Sequence, residues 1–227
     1  MTLENTIANL SEIYELKRNP ENAISMEQYM KNLFPFLGIR SPERKAITAD
    51  WLKNVGLVPH ESLTAFIKEL WDKPEREYQY VALDYLIKKK KYLLETDIDL
   101  LEYTIITKSW WDTVDLIASH LVGELFLKHP NLIKTYGEKW ISSDNIWLQR
   151  TMILFQLKYK NKTDEQLLFS IIQRTSHINE FFIQKAIGWS LREYSKTNPE
   201  AVAQFIEVNE LSNLAKREGL KYIVNYS

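Results

Sequence analysis

Apolar residues recur along most of this chain at intervals of three and four. Leu63, Phe66, Ile67, Leu70 and Trp71 form one such stripe, the spacing that gathers side chains on one face of an α-helix. Strand-like alternation is poor throughout, and only six Gly and seven Pro interrupt the helical periodicity. The pattern predicts an all-α fold. Helix-start signals recur at a fixed interval. Ser109 precedes Trp-Trp-Asp, Asp144 precedes Asn-Ile-Trp and Asn179 precedes Glu-Phe-Phe, each 35 residues after the last. Ser41-Pro42 marks an earlier start close to two periods upstream, with Pro at the first helical position.

The helices that follow these starts are alike. Tyr78-Gln79-Tyr80, Leu148-Gln149-Arg150 and Ile183-Gln184-Lys185 share an apolar-Gln-polar pattern, spaced by 70 and then 35 residues. A period near 35 with two helices per unit belongs to helical repeat arrays. Such units stack into a curved superhelix that binds ligands on its concave side. The expected fold is a curved α-solenoid of about six two-helix repeats, with residues 1–227 forming one domain. Steps of 35 from Asp115 land on Lys45, Tyr80, Arg150 and Lys185. Stacked repeats would align these residues in one column, with cations on both sides of a single carboxylate.

The stretch from Lys108 to Asp115 carries the sharpest local signal. Ser109 and Asp112 read as a capping box, so a helix should begin at Trp110. Trp111 and Asp115 then stand at i and i+4, an aromatic plane beside a carboxylate. Such a pair is suited to holding a cation. Trp51, Trp71 and Trp140 lie within apolar stripes and read as core, as does Trp110, which points away from the face of Asp115. Taken alone, Asp115 also reads as a surface acid or an ion-pair partner of Lys108 or Arg150, and Arg150 as a structural partner of Asp115 or Asp144.

Composition narrows the setting. With 227 residues, 45% hydrophobic and 26% charged, the chain has the make-up of a soluble globular protein. It holds no Cys, which excludes disulfides and thiolate metal sites and points to a reducing cytoplasm. The first residues show no basic leader, and no run is apolar enough to span a membrane. His60, His120, His129 and His177 form no helical i, i+4 pair, so no metal site is expected. No Gly-rich phosphate loop or nucleophile elbow is present, and no cofactor is expected. The tract Lys88-Lys89-Lys90-Lys91 reads as the solvated end of a helix. At a net charge of −1, nucleic-acid binding would require Lys and Arg to be segregated onto one face.

Three ordered blocks carry a family resemblance. They are Thr107 to Asp115 (TKSWWDTVD), Ser143 to Arg150 (SDNIWLQR) and Phe182 to Trp189 (FIQKAIGW). They resemble the AlkD-type bacterial DNA glycosylases, which remove alkylated purines and are built from HEAT-like repeats. The likeness runs from Glu27-Gln28-Tyr29-Met30-Lys31-Asn32 to Asn209-Glu210-Leu211. It implies that Trp111, Asp115 and Trp189 contact the lesion nucleotide and that Arg150 contacts the backbone. It also implies a DNA-facing region at Tyr29 and around Arg40, Ser41, Pro42, Arg44 and Lys45. Lys158, Lys160, Lys185 and Arg192 would add sequence-independent attraction to phosphates.

The implied activity is hydrolysis of the N-glycosidic bond of cationic 3-alkyladenine or 7-alkylguanine in duplex DNA by a cytoplasmic monomer. Asp115 would stabilise positive charge on the sugar, with no enclosed base-flipping pocket. A non-catalytic repeat protein binding damaged or branched DNA is the alternative, and a protein-interaction scaffold is the third reading.

Overall fold

The structure, a computed structural model, describes residues 3–224. All regular secondary structure among them is helical, as expected of an α-solenoid. Among the described residues, no helix is long and apolar enough to cross a membrane. The chain divides into two compact units, residues 1–89 and 90–227.

The first unit contains α1 (Leu3–Glu15), α2 (Pro20–Tyr29), α3 (Ser41–Val55), α4 (His60–Asp72) and α5 (Arg76–Lys89). Its core gathers Ile7, Leu10, Tyr14, Trp51, Phe66, Trp71 and Tyr85, so the expectation of buried Trp51 and Trp71 holds. The segment between α2 and α3 is fastened from within. The buried Glu77 carboxylate accepts the amides of Leu37, Gly38 and Ile39 at 3.0, 2.9 and 3.2 Å. Gly38 has φ +83°, and a Cβ there would stand 2.0 Å from the Asn19 carbonyl oxygen. Only glycine fits that turn, and the turn delivers the chain into α3.

The second unit holds α6 (Ile98–Ile106), α7 (Trp111–Leu116), α8 (Gly123–Lys128), α9 (Glu138–Ile141), α10 (Ile146–Leu154), α11 (Glu165–Thr175), α12 (Phe181–Tyr194), α13 (Pro199–Val208) and α14 (Asn213–Val224). A π-helical stretch, Ile117–Val122, joins α7 to α8. Trp140 is fully buried, as expected. Gly123 lets the end of α10 lie close. A Cβ there would meet the Phe155 carbonyl oxygen at 2.4 Å, and the Tyr159 hydroxyl donates to the Gly123 carbonyl at 2.6 Å.

The recurring glutamine has a structural cause. Gln79 Nε2 donates to the Trp71 and Lys73 carbonyls at 2.8 and 2.9 Å. Gln149 Nε2 donates to Ser143 at 2.7 Å, and Gln184 Nε2 to Ser176 and Ile178 at 2.9 and 2.8 Å. Each glutamine reaches back from the second helix of a hairpin to carbonyls left at the end of the first. Carbonyls at a helix end have no intrahelical partner, so the same device closes α4–α5, α9–α10 and α11–α12.

The helix starts keep their period but shift by one residue. Trp110, Asn145 and Glu180, rather than Ser109, Asp144 and Asn179, precede α7, α10 and α12. Asn145 accepts the amides of Trp147 and Leu148 with its side chain. No capping box forms at Ser109, because its hydroxyl donates to the Ile105 carbonyl at 2.6 Å. The upstream start also moves: Ser41 is the first helical residue and Arg40 the flanking one, so Pro42 stands second.

Candidate functional site

The period of 35 brings two column neighbours into contact. Arg150 on α10 donates through Nε and Nη2 to Oδ1 and Oδ2 of Asp115 on α7, at 2.7 and 2.9 Å. A guanidinium matches a carboxylate in this bidentate way, which fixes orientation as well as contributing energy. Arg150 Nη1 also donates to the Phe182 carbonyl at the start of α12. The Arg150 and Asp115 side chains are only 5% and 13% exposed. Burial pushes the Asp115 carboxyl above its ordinary pKa, while Arg150 opposes that rise. Of the partners open to Asp115 and Arg150, the fold joins these two to each other.

An aromatic cluster adjoins the pair through Phe182. Trp110, Trp147 and Phe182 form a triangle with ring centroids 5.0 to 5.6 Å apart. The Arg150 guanidinium carbon lies 5.9 Å from the Phe182 centroid. Trp110, expected in the core, is instead half-buried and packs in this aromatic cluster; its indole N–H is buried and has no hydrogen-bond partner among the described residues. Trp147 and Phe182 were not legible as site residues. Their positions did carry a signal, since Trp147 stands at i−3 from Arg150 and Phe182 at i−7 from Trp189.

Trp111 is half-buried in the first turn of α7, one helical turn before Asp115. Trp189 is half-buried on α12 and lies on a stripe with Phe182, Lys185 and Arg192. Spacings of three, four and three put those four side chains on one helix face. That face begins at the carbonyl that accepts from Arg150. The local geometry thus unites Asp115, Arg150 and Phe182 directly, with Trp189 two turns along α12.

The remaining cationic positions are spread over both units. Lys158 and Lys160 are exposed beyond the end of α10, Lys160 with φ +54°. Lys185 and Arg192 both bond Glu218 on α14 at 3.1 Å. In the first unit, Tyr29 ends α2 and is exposed, and Arg40 donates to Asn22 Oδ1 at 3.0 and 3.2 Å. Ser41, Pro42 and Lys45 are exposed on the opening turns of α3. Arg44 is different. It is buried, donates to Asp84 at 2.7 Å and lies 5.1 Å from the Tyr80 ring centroid. A phosphate contact from Arg44 would require that pair to open. Among the described residues, no group of His, Asp and Glu side chains has the arrangement to hold a metal ion.

The model of a family described as DNA alkylation repair enzyme matches residues 11–223. The chain belongs to the DNA alkylation repair enzyme family. Its structure is similar to that of a predicted DNA alkylation repair enzyme from Enterococcus faecalis, with a TM-score of 0.84 and 40% sequence identity. That match covers 91% of this chain and 96% of the other. No curated protein matches. For this member of the repair family, the Asp115–Arg150 pair and the adjoining aromatic cluster lie wholly within the second unit.

Proposed function

We propose that the protein is a DNA glycosylase that hydrolyses the N-glycosidic bond of cationic alkylpurines in duplex DNA. The observation that carries this reading is the bidentate Asp115–Arg150 pair beside aromatic residues of α7 and α12, in a chain of a DNA alkylation repair family. Alkylation at N3 of adenine or N7 of guanine makes the base a cation. When the bond from C1′ to the base nitrogen breaks, its electron pair goes to the base, which departs neutral. Positive charge then resides on the sugar, as in glycoside hydrolysis. A fixed carboxylate close to the deoxyribose stabilises that charge, and preorganised charges of this kind are usually the largest catalytic effect. Water adds to C1′ and loses a proton, which Asp115 accepts or passes to solvent.

Each oxygen of Asp115 accepts from Arg150 with one lone pair and keeps another. The carboxylate can therefore face a developing cation while its orientation is held. Trp111 and Trp189 offer ring faces to the cationic nucleotide, each contact contributing roughly 0.5–2 kcal/mol. Arg150 keeps two N–H groups beyond those directed at Asp115 and Phe182, and a nearby phosphate meets them only where DNA binding opens this 5%-exposed side chain. Tyr29, Arg40, Ser41, Pro42, Lys45, Lys158, Lys160, Lys185 and Arg192 supply backbone contacts, and Arg44 joins them only where its pair with Asp84 opens. The site responds to charge and bond lability, so bulky cationic adducts are accepted and uncharged lesions are left alone. No enclosed base pocket is required, unlike in enzymes that flip their target base.

One observation favours the non-catalytic alternative: Arg150 already engages both oxygens of Asp115, as a purely structural pair would. Base release from a duplex carrying one 7-methylguanine separates the two, with Asp115→Asn and a neutral-lesion duplex as controls. The glycosylase reading expects release above the spontaneous rate, reduced about 10²- to 10³-fold by the substitution and absent for the neutral lesion. DNA binding without excess release would leave the alternative standing.

A further inference from the structure

Glu218 is an acid where a DNA-binding face has least use for one. It lies on α14 (Asn213–Val224), which packs along α12 (Phe181–Tyr194). Its carboxylate meets three cations: Lys185 Nζ and Arg192 Nη1 at 3.1 Å each, and Lys221 Nζ at 2.7 Å. The burial is uneven. The Glu218 side chain is 7% exposed, against 39% for Lys185 and 31% for Arg192. The anion is thus inside and the cations reach from it to the surface. Lys221 and then Lys185 hold the Glu218 carboxyl below its ordinary pKa against the opposing effect of burial, so it stays charged at neutral pH.

The close approach of the two helices depends on Gly188. A Cβ there would stand 2.5 Å from Glu218 Cβ and 3.0 Å from the Ala215 carbonyl oxygen. Any larger residue would push α14 away and lift the carboxylate from Lys185 and Arg192. Gly188 adjoins Trp189, and Lys185 and Arg192 stand one turn before and one turn after Trp189 on the same face. They are two turns apart, about 10 Å along the axis.

We propose that Glu218 is a positioning residue for DNA binding, holding Lys185 and Arg192 in place as a pair of phosphate contacts flanking Trp189. The inference rests on the DNA-binding part of the function proposed above. Free lysine and arginine side chains lose substantial rotamer entropy when a ligand orders them. A buried carboxylate that already fixes both lowers that loss. Three cations around one anion leave a net positive charge, so the cluster still attracts phosphate.

The sign of the effect makes the proposal testable. By net charge alone, Glu218→Gln removes an anion and should tighten DNA binding. If Glu218 positions the two cations, the same substitution weakens binding. With an undamaged duplex, Kd should rise about tenfold, and the slope of log K against log salt should become shallower by about one to two, the loss of one or two phosphate contacts. With a 7-methylguanine duplex, KM should rise while kcat stays within about twofold, because backbone contacts act equally on ground and transition states.

The effect should vanish in a Lys185→Ala/Arg192→Ala background, since coupled residues are not additive. Should E218Q fail to fold, Glu218→Asp keeps the charge and withdraws it by one methylene, so charge alone expects no change in binding while the positioning role still expects weaker binding and a shallower salt slope. Tighter binding, an unchanged salt slope, or the same loss in the double-alanine background would overturn the proposal. Absence of base release with the binding changes intact would count against the glycosylase reading and leave this one standing.

Discussion

Replacing Arg150 by Gln tests how the central pair works. Arg150 donates to both oxygens of Asp115 and to the Phe182 carbonyl, in a setting where the two charged side chains are 5% and 13% exposed. Removing one partner of a buried pair leaves the other charge uncompensated, which costs about 3–5 kcal/mol. The Gln amide can still donate to one oxygen, which places the cost toward the lower end. For a domain of this size each kcal/mol lowers Tm by about 2–4 °C, so a drop of about 6–12 °C is expected at neutral pH.

The loss should depend on pH in a definite direction. Burial already raises the Asp115 carboxyl above its ordinary value, and the opposing influence of Arg150 is absent from the variant. The folded variant therefore binds a proton over an interval where the unfolded chain has released it. Stability falls as pH rises through that interval, so the gap from wild type is smallest in acid and widens toward neutrality. The acid limb of base release, which needs ionised Asp115, moves to higher pH for the same reason. Circular-dichroism melts between about pH 5 and 8, paired with base-release profiles, measure both effects. A Tm gap that is constant with pH, or a limb that does not move, would refute the reasoning.

Trp111→Ala and Trp189→Ala should each lower kcat/KM for 7-methylguanine release by about 2- to 30-fold, the value of one cation–π contact. The corresponding Phe variants should lie between Ala and wild type in single-turnover assays. Gly123→Ala should lower Tm, although alanine is the better helix former, because its Cβ would stand 2.4 Å from the Phe155 carbonyl oxygen. A gain in Tm would show that the helices part at little cost. Glu138 is held at about 2 by hydrogen bonds from Arg174 and Ser142. Its folded pKa is below its unfolded value, so its contribution is present above the ordinary carboxylate range and fades as pH falls toward 2. Glu138→Gln should flatten the acid side of the stability curve, which urea titrations at several pH values would detect.

The all-α fold was legible in the sequence because helical periodicity and helix starts are local. A stripe such as Leu63, Phe66, Ile67, Leu70 and Trp71 has one compact way to bury itself. The 35-residue period was legible too, and with it the contact between Asp115 and Arg150, since stacked units bring equivalent positions together. The frame was off by one residue because capping competes with other local bonds of the hydroxyl. Ser109 gives its hydroxyl to the carbonyl of Ile105, four residues back at the end of the preceding helix, and both uses of the hydroxyl fit the same local sequence.

Tertiary packing decided the rest. Arg44 looked like a surface cation but turns inward to Asp84 and Tyr80, because α5 offers it a carboxylate and a ring face. Trp147 and Phe182 joined the candidate site through the stacking of α7, α10 and α12. Glu218 gave no signal at all, being one acid among the 30 Asp and Glu residues of the chain. Its place beside Lys185 and Arg192 depends on the seat that Gly188 makes for α14. The sequence alone determined which faces are apolar and how often they recur, because those depend on neighbours within a few turns. Outside the repeat column, which charges meet, as at Arg44 and Glu218, was settled only when distant helices packed, because a charge chooses among partners by distance and burial.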